Sequence, residues 1–263
     1  VLLSALERAL APHGLNLVGA TAAAAYDACV PPEYALCRLL PDARAMIVIG
    51  NGGAEFWGAY RAYCARHQTH EGRPDPLDRF TQIVIEDVVR PLVGGEARIF
   101  YPFRFADEPV SFLRLAECAG LGRPGLTGVL LHPVFGPWIA FRAAIAVPFH
   151  LAAPRPSDGF DPCPTCVERA CMPACPAGAV TARGWDIPRC AAERARDPDP
   201  CAARCHARFE CVLGREHRYP ADALAHHQTW ARPALVARGA GLTLAGAREA
   251  PARAPGRAPT PRA

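Results

Sequence analysis

Apolar residues recur at two periods along the first 150 positions, and the switches between them predict the elements. Leu2, Leu3, Leu6 and Leu10 stand at helical spacing, so residues 1–12 read as an amphipathic helix that Pro12 and Gly14 end. LNLVGA (15–20) reads as a short strand, TAAAAYDACV as a loop with a helical turn, and PPEY (31–34) as a break. The run ARAMIVIGNGG (43–53) has the form of a buried strand ending in a glycine turn, followed by a helix over 54–67. On that helix Phe56, Trp57, Tyr60 and Tyr63 cover one broad face, with core packing and a cofactor platform as the two readings. Residues 75–93 predict one long helix, capped by Asp75 with Pro76 at its first position. A strand follows at 97–103, and then a helix over 109–122 closed by Gly120 and Gly122. Residues 127–149 predict two antiparallel strands around a turn at Pro133 to Pro137. Helices alternating with antiparallel strands imply an α+β layered fold for residues 1–150.

Beyond a proline-rich linker (151–160) the pattern gives way to cysteines. The chain has 12, and all but Cys29, Cys37, Cys64 and Cys118 fall within 161–219. Cys64 and Cys118 read as core residues. The first group in the cysteine module is Cys163, Cys166, Cys171 and Cys175, in the pattern C-x2-C-x4-C-x3-C with Pro176 directly after it. The second is Cys190, Cys201, Cys205 and Cys211. A ferredoxin-like [4Fe–4S] module spaces its thiolates similarly, with two residues fewer than the x4 between Cys166 and Cys171, and its proline-followed cysteine serves the other cluster. The spacing therefore predicts two clusters with crossed ligands. Cys163, Cys166 and Cys171 would join the distant Cys211, and Cys190, Cys201 and Cys205 would take Cys175. Structural zinc held by four sulfurs is the rival reading, with disulfides a third.

Composition narrows the setting. With 51% hydrophobic residues most of the chain should fold, and a net charge of +4 gives no strong case for nucleic acid. All the basic side chains other than histidine are arginine. No signal peptide and no apolar run of membrane-spanning length is expected, which points to the cytoplasm. GNGG lacks the spacing of a dinucleotide-binding loop. A helix is predicted at 220–238, and the tail 239–263 is too poor in apolar residues to fold.

The stretch AGLGRPGLTGVLLHPVFGPWIAFRAAIAV (119–147), with EHRYPAD (216–222), resembles two related corrinoid families. One is the epoxyqueuosine reductases, which carry two [4Fe–4S] clusters. The other is the cblC-type cobalamin-processing proteins. The resemblance implies a nitroreductase-like core adapted to cobalamin. It implies that Gly128, His132, Phe135, Gly136 and Trp138 line a corrinoid pocket, and that Arg142 and Arg208, with Arg232 nearby, hold an anionic thiol there. For His132 the other reading is a strand-end histidine bonded to backbone. Arg142 is a rare charge in an apolar strand and should meet an anionic partner, whether bound thiol, corrinoid phosphate or buried carboxylate. The reductases place a proton-donating aspartate three residues before a proline. Here Asp107 stands two before Pro109, and Ala106 takes the matching place.

Taken together, these readings predict an oxidoreductase that passes electrons from its clusters to a bound corrinoid. Arg142 and Asp107 are its candidate catalytic residues. A low-potential electron donor and a corrinoid or small-molecule substrate are the partners implied, with tRNA only if the reaction is that of the reductases. The alternatives are a ferredoxin-like electron-transfer protein without its own substrate and a zinc-stabilised cobalamin chaperone.

Overall fold

The structure, a computed structural model, describes residues 1–67, 76–152 and 159–239. The Asp75 cap, part of the linker and the tail from residue 240 lie outside the described residues. Chain order opens with helix α1 (Leu2–Leu10), strand β1 (Leu17–Ala22), helices α2 (Ala23–Asp27) and α3 (Leu36–Leu39), strand β2 (Ala45–Gly52) and helix α4 (Glu55–His67). Next come helices α5 (Pro76–Val84) and α6 (Arg90–Val93), strand β3 (Arg98–Phe100) and helix α7 (Phe112–Cys118). Two short strands, β4 (Arg123–Pro124) and β5 (Leu130–Leu131), lead into the long β6 (Ile139–Val147). The cysteine segment holds α8 (Pro162–Thr165), β7 (Val180–Thr181), β8 (Gly184–Trp185), α9 (Ile187–Arg196) and α10 (His206–Phe209), and α11 (Ala221–Gly239) follows.

A four-stranded antiparallel sheet, ordered β1-β2-β6-β3, carries the fold. Every residue of β2 is buried, because this strand has helices on both faces. Ala45, Ile47 and Ile49 point into one core with Leu6, Leu10, Phe56, Tyr60 and Phe80, which come from α1, α4 and α5. Met46 and Val48 point into the other with Tyr26, Leu36, Leu115 and Ala116, from α2, α3 and α7. A strand buried on both sides needs apolar residues at both parities, which is why 45–49 is a continuous apolar run. Phe56 and Tyr60 belong to the first core and Trp57 and Tyr63 pack against it, so the aromatic face of α4 is a core face.

Two expectations are corrected. The strands at 127–149 do not form a hairpin with each other. β5 pairs with β4, while β6 lies between β2 and β3, and only a bridge from His132 to Gly136 joins the two arms of the turn. Nine residues of β6 with apolar side chains on both faces suit a central position rather than a hairpin edge. Nor is 75–93 one regular helix: Ile85–Val89 forms a π turn between α5 and α6. Pro91 lacks the N–H that would bond Asp87, and the wider turn accommodates that missing bond.

Register also explains the charge in β6. Ile49 pairs with Ala143 and Gly50 with Phe141, so Arg142 is the extra residue of a β-bulge. Ile139 and Phe141 face the second core, Ala143, Ile145 and Val147 the first. The bulge turns Arg142 to the first-core side, over the ring of Phe56 with 4.6 Å to its centroid.

Ile47 sits opposite Ile145 in the centre of this sheet and is fully buried. Replacing it with alanine should cost about 2–5 kcal/mol of stability, read as a lower denaturant midpoint with an unchanged slope.

Candidate functional site

The eight module cysteines gather into two quartets. Around Cys171 the neighbouring thiols are Cys211, Cys163 and Cys166. Around Cys201 they are Cys205, Cys190 and Cys175. Cys211 has Cys163 and Cys166 beside it, and Cys190 has Cys205 and Cys175. The chain thus crosses over twice, with Cys175 leaving its own group and Cys211 joining the other. Burial pushes the Cys171, Cys190 and Cys211 thiols up, and Cys201 up to about 11. Among the described residues no three His, Cys, Asp or Glu side chains close on a point as a single metal ion would require.

Several N–H groups aim at these sulfurs. The Arg169 amide donates to Cys166 Sγ at 3.4 Å, and the Ala179 amide to Cys175 Sγ at 3.3 Å. Arg169 holds φ at +43°, a left-handed conformation for a non-glycine residue, and the longer x4 spacing between Cys166 and Cys171 contains it. The Trp185 side chain lies beside Cys190 and the Leu213 backbone beside Cys211, and each favours the thiolate there. Arg194 and Arg215 add positive charge beside Cys190 and Cys211. These N–H groups and arginine charges favour the thiolate forms of Cys190 and Cys211, in opposition to burial, which is the larger effect.

Trp185 and Leu213 also seat the module on the sheet domain. Gly128 has φ +77°, and a Cβ there would overlap the Trp185 indole. Gly136 has φ +54°, and a Cβ there would overlap the Leu213 carbonyl. Trp138 is wholly buried against Tyr219 and Phe209. Arg208 donates to the Pro137 carbonyl oxygen at 3.0 and 2.7 Å while lying over the rings of Trp138 and Tyr219. The residues expected to line a corrinoid pocket are therefore the ones on which the cysteine module packs. Phe135 belongs to the same contact, edge-on to His217. His132 Nδ1 accepts from the amides of Val134 and Phe135, the backbone-bonded reading, and burial beside His217 lowers its pKa to about 4. With Gly128, Gly136 and Trp138 covered, these residues do not stand as open walls of a corrinoid pocket.

Arg142 lies deeper. Its Nε donates to Asn51 Oδ1 at 2.8 Å, and Asp78 contributes an attractive charge. Burial lowers its pKa nonetheless. Asn51, Phe56, Arg142, Tyr219 and His227 bound a cavity of about 10 Å³, close to what one water needs. Sequence reasoning passed over Asn51 and His227, because a polar residue ending a strand and a His-His pair on a helix carry no motif. Asp107 is exposed on the turn after β3, its amide bonded to the Arg104 carbonyl. Arg232 lies on α11. Helix α11 ties the two halves together: Asp222 accepts from Trp57 Nε1 at 3.0 Å, and Gln228 from the buried Arg194 at 2.6 Å.

Two outcomes follow from this packing. Gly128→Ala should destabilise the protein by more than Gly94→Ala, since Gly94 also has positive φ (+83°) but faces open space. The difference in thermal midpoint isolates the clash with Trp185. His227 is held neutral by burial and by Arg142, Arg208 and His226, with its pKa lowered to about 3. The unfolded chain binds that proton below about pH 6.5 and the folded chain does not, so stability falls as pH drops from 6.5 toward 3. His227→Gln should flatten this slope in unfolding curves taken at a series of pH values.

No protein-family model and no curated protein matches the chain. Among the described residues no helix is long and apolar enough to cross a membrane. Solved structures do match. An epoxyqueuosine reductase of Streptococcus thermophilus superimposes with a TM-score of 0.55 at 13% identity, over 82% of this chain and 66% of that one. The enzyme of Bacillus subtilis gives 0.52 at 17% identity, over 83% and 67%. The C. elegans B12-trafficking protein CblC, a homologue of human MMACHC, gives 0.54 at 16% identity, over 86% and 90%. The chain thus spans about two thirds of the length of these reductases and nearly the whole of CblC. The fold expected from the resemblance at 119–147 is the fold these proteins share with this chain.

Proposed function

We propose that this protein is an iron–sulfur redox protein whose crossed cysteine quartets each hold a [4Fe–4S] cluster. The observation that carries the reading is the double crossover, in which Cys175 joins Cys190, Cys201 and Cys205 while Cys211 joins Cys163, Cys166 and Cys171. Two-cluster ferredoxin modules exchange ligands in this way. When bound, such clusters supply one-electron transfer. The chain's own residues set the conditions for it. The N–H groups of Arg169, Ala179, Trp185 and Leu213 would stabilise negative charge on the sulfurs, and partial burial of the cysteines would limit water.

A second reading makes a corrinoid the electron acceptor, as a cobalamin-dependent or cobalamin-processing reductase. The fold shared with CblC and the epoxyqueuosine reductases favours it. The third, a zinc-holding carrier, would need each quartet to tighten to sulfur–metal distances of about 2.3 Å.

Anaerobic protein should contain about eight irons per chain and show dithionite-reducible spectra, as two four-iron sites require. Cys175→Ser should disturb the cluster of the second quartet and Cys211→Ser that of the first, each leaving about half the iron. If Cys175→Ser instead disturbs the cluster held by Cys163, Cys166 and Cys171, the crossing is wrong. Zinc in place of iron overturns the redox reading. Titration with cob(II)alamin, followed by EPR, decides the corrinoid reading, and a spectrum unchanged by protein sinks it. Trp185→Phe removes the indole N–H from Cys190 and should lower the reduction potential of one cluster only, measured by redox titration.

A further inference from the structure

Two thiols outside the quartets meet on the other side of the fold. Cys29 follows α2 and is exposed, and Cys118 ends α7 and is half-buried. The two thiols share one cavity wall and interact electrostatically, and Cys118 Sγ donates to the Ala25 carbonyl of α2 at 3.9 Å. Both line a cavity of about 440 Å³, together with Arg114, Glu117, Arg123 and Gly122. Its charge is uneven. Glu117 accepts from Arg114 at 2.8 Å and from Arg123 at 3.3 Å, so two cations share one anion. A cavity of this size takes a small molecule, and the surplus positive charge favours an acidic one.

We propose that Cys29 and Cys118 are a dithiol that reduces a small anionic disulfide bound in this cavity and becomes a disulfide itself. Cys29, the exposed member, attacks as thiolate on one sulfur of the bound disulfide, whose other half leaves as a thiolate. Cys118 then loses its proton and attacks the Cys29 sulfur, expelling the second half. Two protein thiols and one small disulfide become one protein disulfide and two small thiols, and the Cys118 proton goes to the departing thiolate. Exchange of this kind needs no further oxidant. Burial and the contact with Cys29 push the Cys118 thiol up to about 12, so Cys118 is suited to be the second to react. The site uses none of the quartet cysteines, so it stands whether or not these hold clusters.

The test uses the full chain, purified without oxygen, and two probes: 3,3′-dithiodipropionate, which is anionic, and bis(2-hydroxyethyl) disulfide, which is neutral. After alkylation and tryptic digestion, the peptide 9–38 should be joined to 115–142 through Cys29 and Cys118, with fragmentation separating Cys29 from Cys37. The anionic probe should react several-fold faster. Cys118→Ser should stop at a mixed disulfide on Cys29, and Cys29→Ser should yield no linked peptide. Wild-type protein that shows no such link, or labels Cys37 as fast as Cys29, overturns the proposal. So does equal reactivity of the two probes, which removes the anion preference. Neither peptide contains a quartet cysteine, so a failed cluster reading leaves this result untouched.

Discussion

The arrangement depends on two close approaches, Trp185 over Gly128 and the Leu213 carbonyl over Gly136. Both glycines have positive φ and no room for a side chain. Each seated residue also lies beside a thiol, Trp185 by Cys190 and Leu213 by Cys211, and favours its thiolate. A single contact on each side therefore fixes the position of the cysteine module and the electrostatics of one quartet. Moving either glycine would shift a sulfur environment with it. The covering of Gly128, Gly136 and Trp138 follows from the same constraint, because their backbone and ring surfaces are spent on docking.

Behind this junction lies an unusual interior charge. Burying a guanidinium costs several kcal/mol unless partners replace its water. Arg142 is offset by the Asn51 side chain, the face of Phe56 and the charge of Asp78. Arg208 meets carbonyl oxygens and two aromatic rings at the base of the module. The two arginines repel each other slightly, and both disfavour a charge on His227. Tyr219 and Asn51, joined at 3.4 Å, bridge the sheet to the segment before α11. This polar seam ties the module to the sheet in one defined register, where an apolar seam could slide.

How much could be read beforehand differs by element, for physical reasons. The buried strand at 45–52 was legible because its apolar run is continuous, and the helix at 55–67 because its aromatics share one face after a glycine turn. The cysteine module was legible as a unit because eight of the 12 cysteines fall within 161–219, with Pro176 directly after Cys175. The partner of β6 was not legible, since a strand apolar on both faces does not announce its neighbours. Nor was the bulge at Arg142, where one extra residue breaks the alternation on which such a reading rests. What packs over Gly128 and Gly136 was not legible, since a resemblance along one segment carries no information about what covers it. The Cys29–Cys118 contact joins two elements remote in sequence, and neither thiol sits in a motif.

The crossing itself has an energetic consequence. The first quartet takes thiols from Cys163 and from Cys211, at the two ends of the module, and the second takes Cys175 from within the first segment. Neither can be completed by a contiguous stretch of chain. Assembling the first closes the loop from 163 to 211, which holds the whole of the second, and the entropy of that closure grows only slowly with loop length. A metal centre bound there would return its binding free energy to folding of the whole module. Since Trp185 and Leu213 couple the quartets to Gly128 and Gly136, that free energy would also tighten the junction with the sheet. Loss of one quartet should accordingly loosen α11, whose Gln228 holds the Arg194 that lies beside Cys190.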